Sequence, residues 1–195
     1  MVWNTVEKAR GNYLRLHFIS TALLMAFHWT TLQRWIKQHS VLEKDNMENI
    51  FPSDFKDFIR CLNKHNVDYI LVGGFSVILH GYPRTTGDMD IWVKKSLENF
   101  RKIEKAFFEF GMPLFDMTLE NFLFHKNWDV FTFGRSPVSI DLMVEVKGLN
   151  FEKAFESSVF FSEKDFHVRT ISKQDLIKAK ESVMRPKDMD DLQNL

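Results

Sequence analysis

The sequence predicts an α/β or α+β domain in which a small mixed central sheet is flanked by helices. Short β-rich runs alternate with helical patterns along the chain, and glycines separate several of them. The clearest β-rich runs are residues 68–72, 88–93 and 138–146. A chain of 195 residues is long enough for one sizeable core and short for two. We therefore expect one main domain with an appendage.

Helical patterns connect these runs. Apolar residues recur at helical spacing from Ser53, which is predicted to cap a helix, as far as Asn66. A second helix is predicted between the cap Ser96 and the stop signal Gly111. The pattern from 114 to 133 is ambiguous and favours a strand only near its end. The remaining predicted elements are a strand at 166–171 and helices at 75–80, at 151–157, from the capping residue Ser172 to about Met184, and from Pro186 onward.

Composition and charge limit the classes of partner. Hydrophobic residues make up 45% and charged residues 27% of the chain, which is ordinary for a folded globular protein. Lysine plus arginine and aspartate plus glutamate both number 26, so no global field attracts nucleic acid or an anionic membrane. A polyanion would have to be held by a local cluster. A single cysteine, Cys61, excludes an internal disulfide and favours a reducing, cytoplasmic setting.

Residues 1–46 are predicted to form an N-terminal extension to a main domain over residues 47–195. An apolar run between Leu16 and Trp29 follows basic residues and superficially resembles a signal peptide. Polar residues interrupt this run, no small-residue cleavage site follows, and it is too short to span a bilayer. We expect an amphipathic helix and no membrane partner.

Three aspartates are candidates for a metal site. Side chains alternate along a strand, so Asp88 and Asp90 project from the same face of the run 88–93. Asp141 lies on the later run, on the face opposite its apolar neighbours. Neighbouring carboxylates repel unless a cation lies between them, and Mg²⁺ (or Mn²⁺) binds carboxylate and phosphate oxygens. The alternative is that all three line a solvated face of the sheet.

The sequence excludes an EF-hand at the aspartates and a Walker motif at the glycine pair before them. An EF-hand needs an oxygen ligand and a glycine where this chain has Trp92 and Val93. The pair Gly73 and Gly74 joins a strand to a helix, where free N–H groups favour an anion, but no Walker motif follows. A glycine pair at a tight connection often serves only the backbone.

The combination of motifs resembles a known superfamily. Gly73-Gly74, thirteen further residues, Asp88-x-Asp90 and a later Asp141 are similar to DNA polymerase beta-like nucleotidyltransferases. Two longer strings resemble small bacterial nucleotidyltransferases related to abortive-infection and toxin–antitoxin systems. These strings are His80-Gly81-x-x-Arg84-x-Thr86-x-Asp88-x-Asp90, and Asp175-Leu176-Ile177 with Lys180 and Arg185-Pro186-Lys187-Asp188-x-x-Asp191-Leu192. The resemblance covers residues 47–195 and implies a nucleotidyltransferase fold with closing C-terminal helices.

The resemblance also implies a reaction and a set of roles. A hydroxyl would attack the α-phosphate of a nucleoside triphosphate and pyrophosphate would leave, with metal ions held by Asp88, Asp90 and Asp141. Asp141 would also take the proton of the hydroxyl. The implied substrate-binding residues are Gly73, Gly74, Arg84, Thr86, Lys180, Arg185 and Lys187.

Several of these roles have structural alternatives. Arg84 and Thr86 either orient phosphate or brace the loop before Asp88. An interhelical ion-pair network is favoured over direct catalysis for the C-terminal residues Arg185, Lys187, Asp188 and Asp191. His80 is expected to pack or cap rather than bind metal. Many members of the group carry Gly-Ser in place of Gly73-Gly74, so a hydroxyl contact to phosphate is missing here.

The expected acceptor is a hydroxyl of RNA, such as tRNA, or of a protein. The chain is expected to act in a toxin–antitoxin or phage-defence system, with a partner protein as a further possibility. One alternative is a catalytically silent module that binds a nucleotide or partner on the same fold. Another is metal-dependent phosphoester hydrolysis with water as the acceptor.

Overall fold

The computed structural model describes residues 50–126, 128–135 and 138–195. The predicted extension over residues 1–46, with its amphipathic helix, lies outside these ranges. The helices are α1 (Ser53–Lys64), α2 (Gly73–Leu79), α3 (Leu97–Phe110), α4 (Leu119–Phe124), α5 (Phe151–Ser157), α6 (Lys173–Val183) and α7 (Pro186–Asn194). The strands are β1 (Tyr69–Leu71), β2 (Asp88–Val93), β3 (Val130–Arg135), β4 (Val138–Met143), β5 (Val159–Glu163) and β6 (Phe166–Thr170).

The six strands form one mixed sheet in the order β3-β4-β2-β1-β6-β5. The pairs β2/β4 and β1/β6 are parallel, and β1/β2, β3/β4 and β5/β6 are antiparallel. The predicted mixed sheet flanked by helices is therefore confirmed. Within the described ranges, no helix combines the length and apolar character that crossing a bilayer requires.

One face of the sheet packs on α1 and α3. Met89 and Ile91 are fully buried on this face of β2, and the register carries the face across Ile140 to Phe133. The ring of Phe107 in α3 lies 4.7 Å from that of Phe133. Burial of these large side chains provides most of the stabilisation of this face, at about 2 to 3 kcal/mol for each fully buried residue.

Among the described residues, helices cover the opposite face at one end. The ring of Trp92 is buried there against Phe151 of α5, at 5.2 Å between ring centroids, in a cluster that includes Leu176 of α6. Along this side of β2, Asp88 is exposed, Asp90 is half-buried and Trp92 is buried. The helices therefore leave the two carboxylates at an open end of the sheet.

Most predicted helix signals are confirmed. The Ser96 hydroxyl accepts from the N–H of Asn99, and Gly111 ends α3 in the left-handed region at φ 80°. The Ser172 hydroxyl accepts from the N–H of Asp175 at 3.2 Å, and Pro186 begins α7. These caps satisfy backbone groups that have no partner inside a helix.

Other boundaries differ from the prediction. Ser53 is not the cap of α1, because Pro52 takes that position at φ −53° and ψ 151°, with the φ that its ring fixes. The Ser53 hydroxyl donates to Asp54 at 3.3 Å instead. Two elements were not predicted: α4, which is capped by the Thr118 hydroxyl, and β5 at the edge of the sheet. Both are short, so periodicity along the sequence is a weak signal.

Asn99 joins three segments beneath the sheet. Its Oδ1 accepts from the N–H of Asp68 at 2.8 Å, and its Nδ2 donates to the carbonyls of Asp68 at 3.0 Å and Lys94 at 2.9 Å. The side chain is fully buried. Asn99 therefore fixes the start of β1 and the end of β2 to the first turn of α3.

We predict that Asn99→Ala lowers the free energy of unfolding by about 3 kcal/mol, because it leaves buried polar groups without partners. Asn121→Ala is the matched control, because the Asn121 side chain donates to the Asp116 carbonyl at 2.7 Å near the surface, its one side-chain bond within the described residues. The control should cost about 1 kcal/mol or less. Urea unfolding of both variants measures the difference, and equal losses would contradict the role given to Asn99.

Candidate active site

The parallel register of β2 and β4 brings the candidate carboxylates together. Asp90 lies directly opposite Asp141, and Asp88 lies opposite Ser139. Residues opposite each other on neighbouring strands project from the same face of a sheet. Asp88, Asp90 and Asp141 therefore share one face, at the end that the helices leave open.

Asp90 is the most perturbed of these carboxyl groups. Burial and then the neighbouring Asp141 raise its pKa to about 6, with a smaller contribution from Asp88. The N–H of Gly74, which donates to Asp90 Oδ2 at 3.4 Å, and the charge of Arg185 act in the opposite direction. The site therefore holds negative charge that the fold itself does not neutralise.

The residues present fit a hard divalent cation. The Oδ1 atom of Asp141 is buried and has no hydrogen-bond partner among the described residues, so it has capacity for a ligand. Carboxylate oxygens are the donors that Mg²⁺ and Mn²⁺ prefer. In the described part of the chain, no group of three or more acidic, histidine or cysteine side chains is arranged so that it could hold a metal ion. The cation would have to draw the carboxylates together as it binds.

The glycine turn touches the acidic group directly. Gly73 has φ 64°, and a Cβ atom at this position would lie 1.8 Å from Asp90 Oδ2. A side chain there would strain the backbone and displace the carboxylate. Gly73 and Gly74 form the first turn of α2, which begins two residues earlier than the helix that the sequence predicts.

The predicted basic residue Lys180 lies in a buried ion-pair network. Its Nζ is 3.2 Å from Asp188 Oδ1 and 2.5 Å from Asp191 Oδ2, and Arg84 is 2.5 Å from the same Asp191 oxygen. The Arg185 Nε is 2.8 Å from Asp188. The predicted interhelical network of Arg185, Lys187, Asp188 and Asp191 is confirmed in part. Arg185, Asp188 and Asp191 form ion pairs, and Lys180 supplies the link between the two helices. Among the described residues Lys187 is not part of it, and Arg84 is added to it.

Two of the predicted basic residues remain near the surface. Arg185 is largely exposed, and its positive charge lowers the pKa of Asp90. Lys187 is exposed, and within the described residues it makes no ion pair with the network. Arg185 is therefore the predicted cation with an electrostatic link to the carboxylates.

Every second side chain of the segment before β2, residues 82–87, contacts another part of the fold. Tyr82 donates its hydroxyl to Asp190 at 2.8 Å, and Arg84 pairs with Asp191, both in α7. Thr86 packs on Gly74 and donates to the Asp88 carbonyl at 3.4 Å. This arrangement supports the bracing interpretation of Arg84, because its charge is used within the fold.

His80 takes the structural role predicted for it. It ends α2 as the C-cap residue, and its Nε2 lies 2.8 Å from the carbonyl oxygen of Ile171. Its ring also meets that of Phe161 edge-on, with centroids 5.8 Å apart. His80 therefore ties α2 to the segment after β6.

Sequence reasoning missed two hydroxyl residues on the same face. Ser139 donates to Asp88 Oδ1 at 2.8 Å and so orients that carboxylate. Thr132 of β3 is exposed and lies directly opposite Asp141. Ser139 lies two residues before Asp141, so the alternation of side chains along the strand predicts that both are on one face. Thr132 required the pairing of β3, which its own sequence does not reveal.

The fold and the open acidic face define a class of protein: a mixed sheet that holds paired strand carboxylates beside a glycine turn, the arrangement of nucleotidyltransferases. The chain belongs to a family described as nucleotidyltransferases of unknown function (DUF6036), whose sequence profile matches residues 53–195. No curated protein matches the chain.

We predict that Asp90→Asn stabilises the metal-free protein at high pH. Folding raises the pKa of Asp90 from 3.8 to about 6, so the folded state loses stability as pH rises between these values. The variant should gain up to about 3 kcal/mol at pH 8 and almost nothing at pH 4. Urea unfolding with EDTA measures this, with the exposed Asp116→Asn as the matched control. A gain that does not depend on pH would contradict the prediction.

We predict that Lys180→Met lowers the free energy of unfolding by about 3 kcal/mol, because it leaves two buried aspartates with less counter-charge. Lys187→Met removes the same charge from an exposed position of the adjoining helix and should change stability by less than about 0.5 kcal/mol. Thermal and urea unfolding compare the two variants. If both variants lose the same free energy of unfolding, the stability of the fold does not depend on the buried ion pairs of Lys180.

Proposed function

We propose that the chain transfers a nucleoside monophosphate from a nucleoside triphosphate to a hydroxyl group, with Mg²⁺ or Mn²⁺ held by Asp88, Asp90 and Asp141. The observation that carries this proposal is the direct opposition of Asp90 and Asp141 across two parallel strands. Their charges repel, and Asp141 has a buried oxygen with no partner in the described residues. A divalent cation would remove both penalties.

The reaction forms a bond between the acceptor oxygen and the α-phosphorus and breaks the bond from that phosphorus to pyrophosphate. When bound, the cation neutralises charge on the attacking and leaving oxygens. Asp88 accepts a hydrogen bond from Ser139, and Asp90 accepts one from the Gly74 N–H, so both carboxylates have a preferred orientation before a cation binds. Asp141 is the group that we assign to receive the proton of the acceptor.

The order of residues across the sheet gives the transfer a direction. The glycine turn follows β1, and Asp90, Asp141 and Thr132 then follow in register on β2, β4 and β3. Displacement in line requires the attacking and leaving oxygens on opposite sides of the phosphorus. With the pyrophosphate near Gly73 and Gly74, the acceptor hydroxyl approaches over Asp141 from the β3 edge.

The β3 edge has room for a macromolecular acceptor. Among the described strands, β3 is the last of the sheet on this side, and Val130 and Thr132 are exposed on the face that bears Asp141. We propose an RNA such as tRNA as the acceptor, held by local contacts because the chain has no net charge. A protein hydroxyl, and a role in a toxin–antitoxin or phage-defence system, are the other outcomes that the assay below distinguishes.

The assay offers each α-labelled nucleoside triphosphate with Mg²⁺ and total cellular RNA or RNA-free lysate. We expect label on the RNA with the wild-type protein and with Asp116→Asn, the matched exposed aspartate. Asp90→Asn and Asp141→Asn should lose at least about 100-fold in rate, because several kcal/mol of charge stabilisation depend on the cation site. EDTA should abolish labelling.

Other outcomes separate the alternatives. Label on protein alone identifies a protein acceptor, and free monophosphate without a labelled acceptor indicates hydrolysis. Nucleotide binding without any product indicates a silent binding module. Labelling that persists in Asp90→Asn would overturn the proposal. A rise in Tm with Mg²⁺ that is lost in Asp141→Asn would show the cation site independently of the acceptor chosen.

A further inference from the structure

Alternate residues of the edge strand β3 turn their backbone groups away from β4. The N–H of Val144 donates to the carbonyl of Asp129 at 2.9 Å, so Asp129 and every second residue after it hydrogen-bond to β4. Val130, Thr132 and Gly134 lie between them, and their N–H and C=O groups point to the open edge. Within the described residues, no backbone hydrogen bond uses these groups. This edge can therefore pair with a further strand.

The sequence of this edge is complementary to itself in one antiparallel register. When two copies of β3 pair about Thr132, this threonine meets the same threonine of the second copy, and Val130 lies opposite Gly134. The residues with outward backbone groups therefore meet each other and can exchange hydrogen bonds. Asp129 then lies opposite Arg135 at both ends of the pair. Opposite charges directly across a strand pair attract.

The two charged residues at the ends of β3 also select the direction of pairing. Asp129 and Arg135 are exposed, and neither makes an ion pair within the described residues. In the parallel direction and in register, each charge would face its own copy and repel it. In the antiparallel direction each charge faces its opposite. The edge therefore favours a second copy that runs the other way.

An aromatic surface borders the same edge. A groove of about 280 Å³ lies between residues 114–117 and β3. The ring of Phe115 lies 6.4 Å from that of Phe133 and is 69% exposed, on a backbone with a left-handed φ of 47°. The ring of Trp128 lies 5.5 Å from that of Phe131. Because Phe131 and Phe133 are opposite each other in the antiparallel register, Phe115 of one copy lies beside Trp128 of the other, where aromatic side chains favour an interface.

We propose that β3 pairs antiparallel with β3 of a second copy of this chain, about a twofold axis at Thr132. The two six-stranded sheets then form one continuous sheet. Residues opposite each other share a face, and Asp141 lies opposite Thr132, so Asp141 of both copies lies on one side of the joined sheet. Neighbouring strands place these two aspartates about 15 Å apart.

This dimer does not rest on the proposed function, and it leaves the acidic face open. Strand pairing uses the backbone, so side chains on both faces of the sheet keep their positions. Val130 and Thr132 remain on the face that bears Asp141, where the acceptor was assigned. The second copy extends that face beyond β3. In the transfer proposed above, an acceptor would therefore lie over β3 of both copies.

Charge reversal at the two ends of β3 tests the pairing. Asp129→Arg and Arg135→Asp each place like charges at both ends, so each should raise the dimer Kd about 10-fold or more. The double variant restores opposite charges and should return Kd close to the wild-type value. Glu181→Arg makes the same change of net charge at an exposed position of α6 and should leave Kd unchanged. Sedimentation equilibrium measures Kd, and Tm should be similar in all variants.

Cysteine cross-linking tests the register. Thr132 is the position at which a residue meets its own copy, with Cα atoms about 5.5 Å apart and within the range of a disulfide. Thr132→Cys in a Cys61→Ser background should therefore give a linked dimer under mild oxidation. Val130→Cys in the same background is the matched control. The two copies of residue 130 lie four residues apart along the pair, about 13 Å, so this variant should not link.

Three results would overturn the proposal. A wild type that is monomeric at up to about 100 µM would leave the edge to a strand of a different protein. A dimer whose Kd is unchanged in both single variants, or is not recovered in the double variant, would be formed by another surface. Equal linking of the Thr132→Cys and Val130→Cys proteins would contradict the register.

Discussion

The repulsion between two carboxylates on neighbouring parallel strands is the constraint on which this structure depends. Asp90 and Asp141 are fixed opposite each other by the backbone ladder of β2 and β4, so neither can move away without breaking the sheet. Burial raises the pKa of Asp90 to about 6, which means that the metal-free fold is destabilised at neutral pH. The remainder of the core must offset that cost. The dense aromatic packing of the other face, with Phe58 and Phe107 at 5.2 Å, is where it does so.

The acidic pair lies at the end of the sheet where Asp88 is exposed. On the same side of β2, Trp92 is buried beneath α5, whereas Asp88, which lies four residues earlier in the strand, is exposed. Among the described helices, those that cover this face pack on its Trp92 end, and Asp88 remains exposed to solvent. Glycine is required at position 73, because any side chain there would occupy the space of the Asp90 carboxylate.

Much of this arrangement is legible in the sequence, and the reason is local. Strand parity alone places Asp88 and Asp90 on one face and separates Asp141 from its apolar neighbours, and the structure preserves both patterns. Helix caps such as Ser172 are likewise local signals. Pairing between distant strands is not local, so Thr132 could not be recognised as the neighbour of Asp141. Short elements such as α4 give too few periods to detect.

The same distinction explains Lys180. A lysine in a basic C-terminal motif reads as a phosphate ligand when its partners are unknown, but α6 and α7 fold back on each other and bury it against Asp188 and Asp191. The sequence separation from Arg84 to Asp191 is 107 residues, and no pattern in either segment predicts that contact. Only the packed helices show that these charges are used inside the fold.

The charge balance of that network has an evolutionary consequence. One buried oxygen of Asp191 serves both Lys180 and Arg84, so neutralising any one of the three leaves an uncompensated charge in the interior. Drift at these positions is therefore expected to be concerted. Across a set of homologues, residues 84, 180 and 191 should covary as a group, and a substitution tolerated in one background should be harmful when transplanted alone into another.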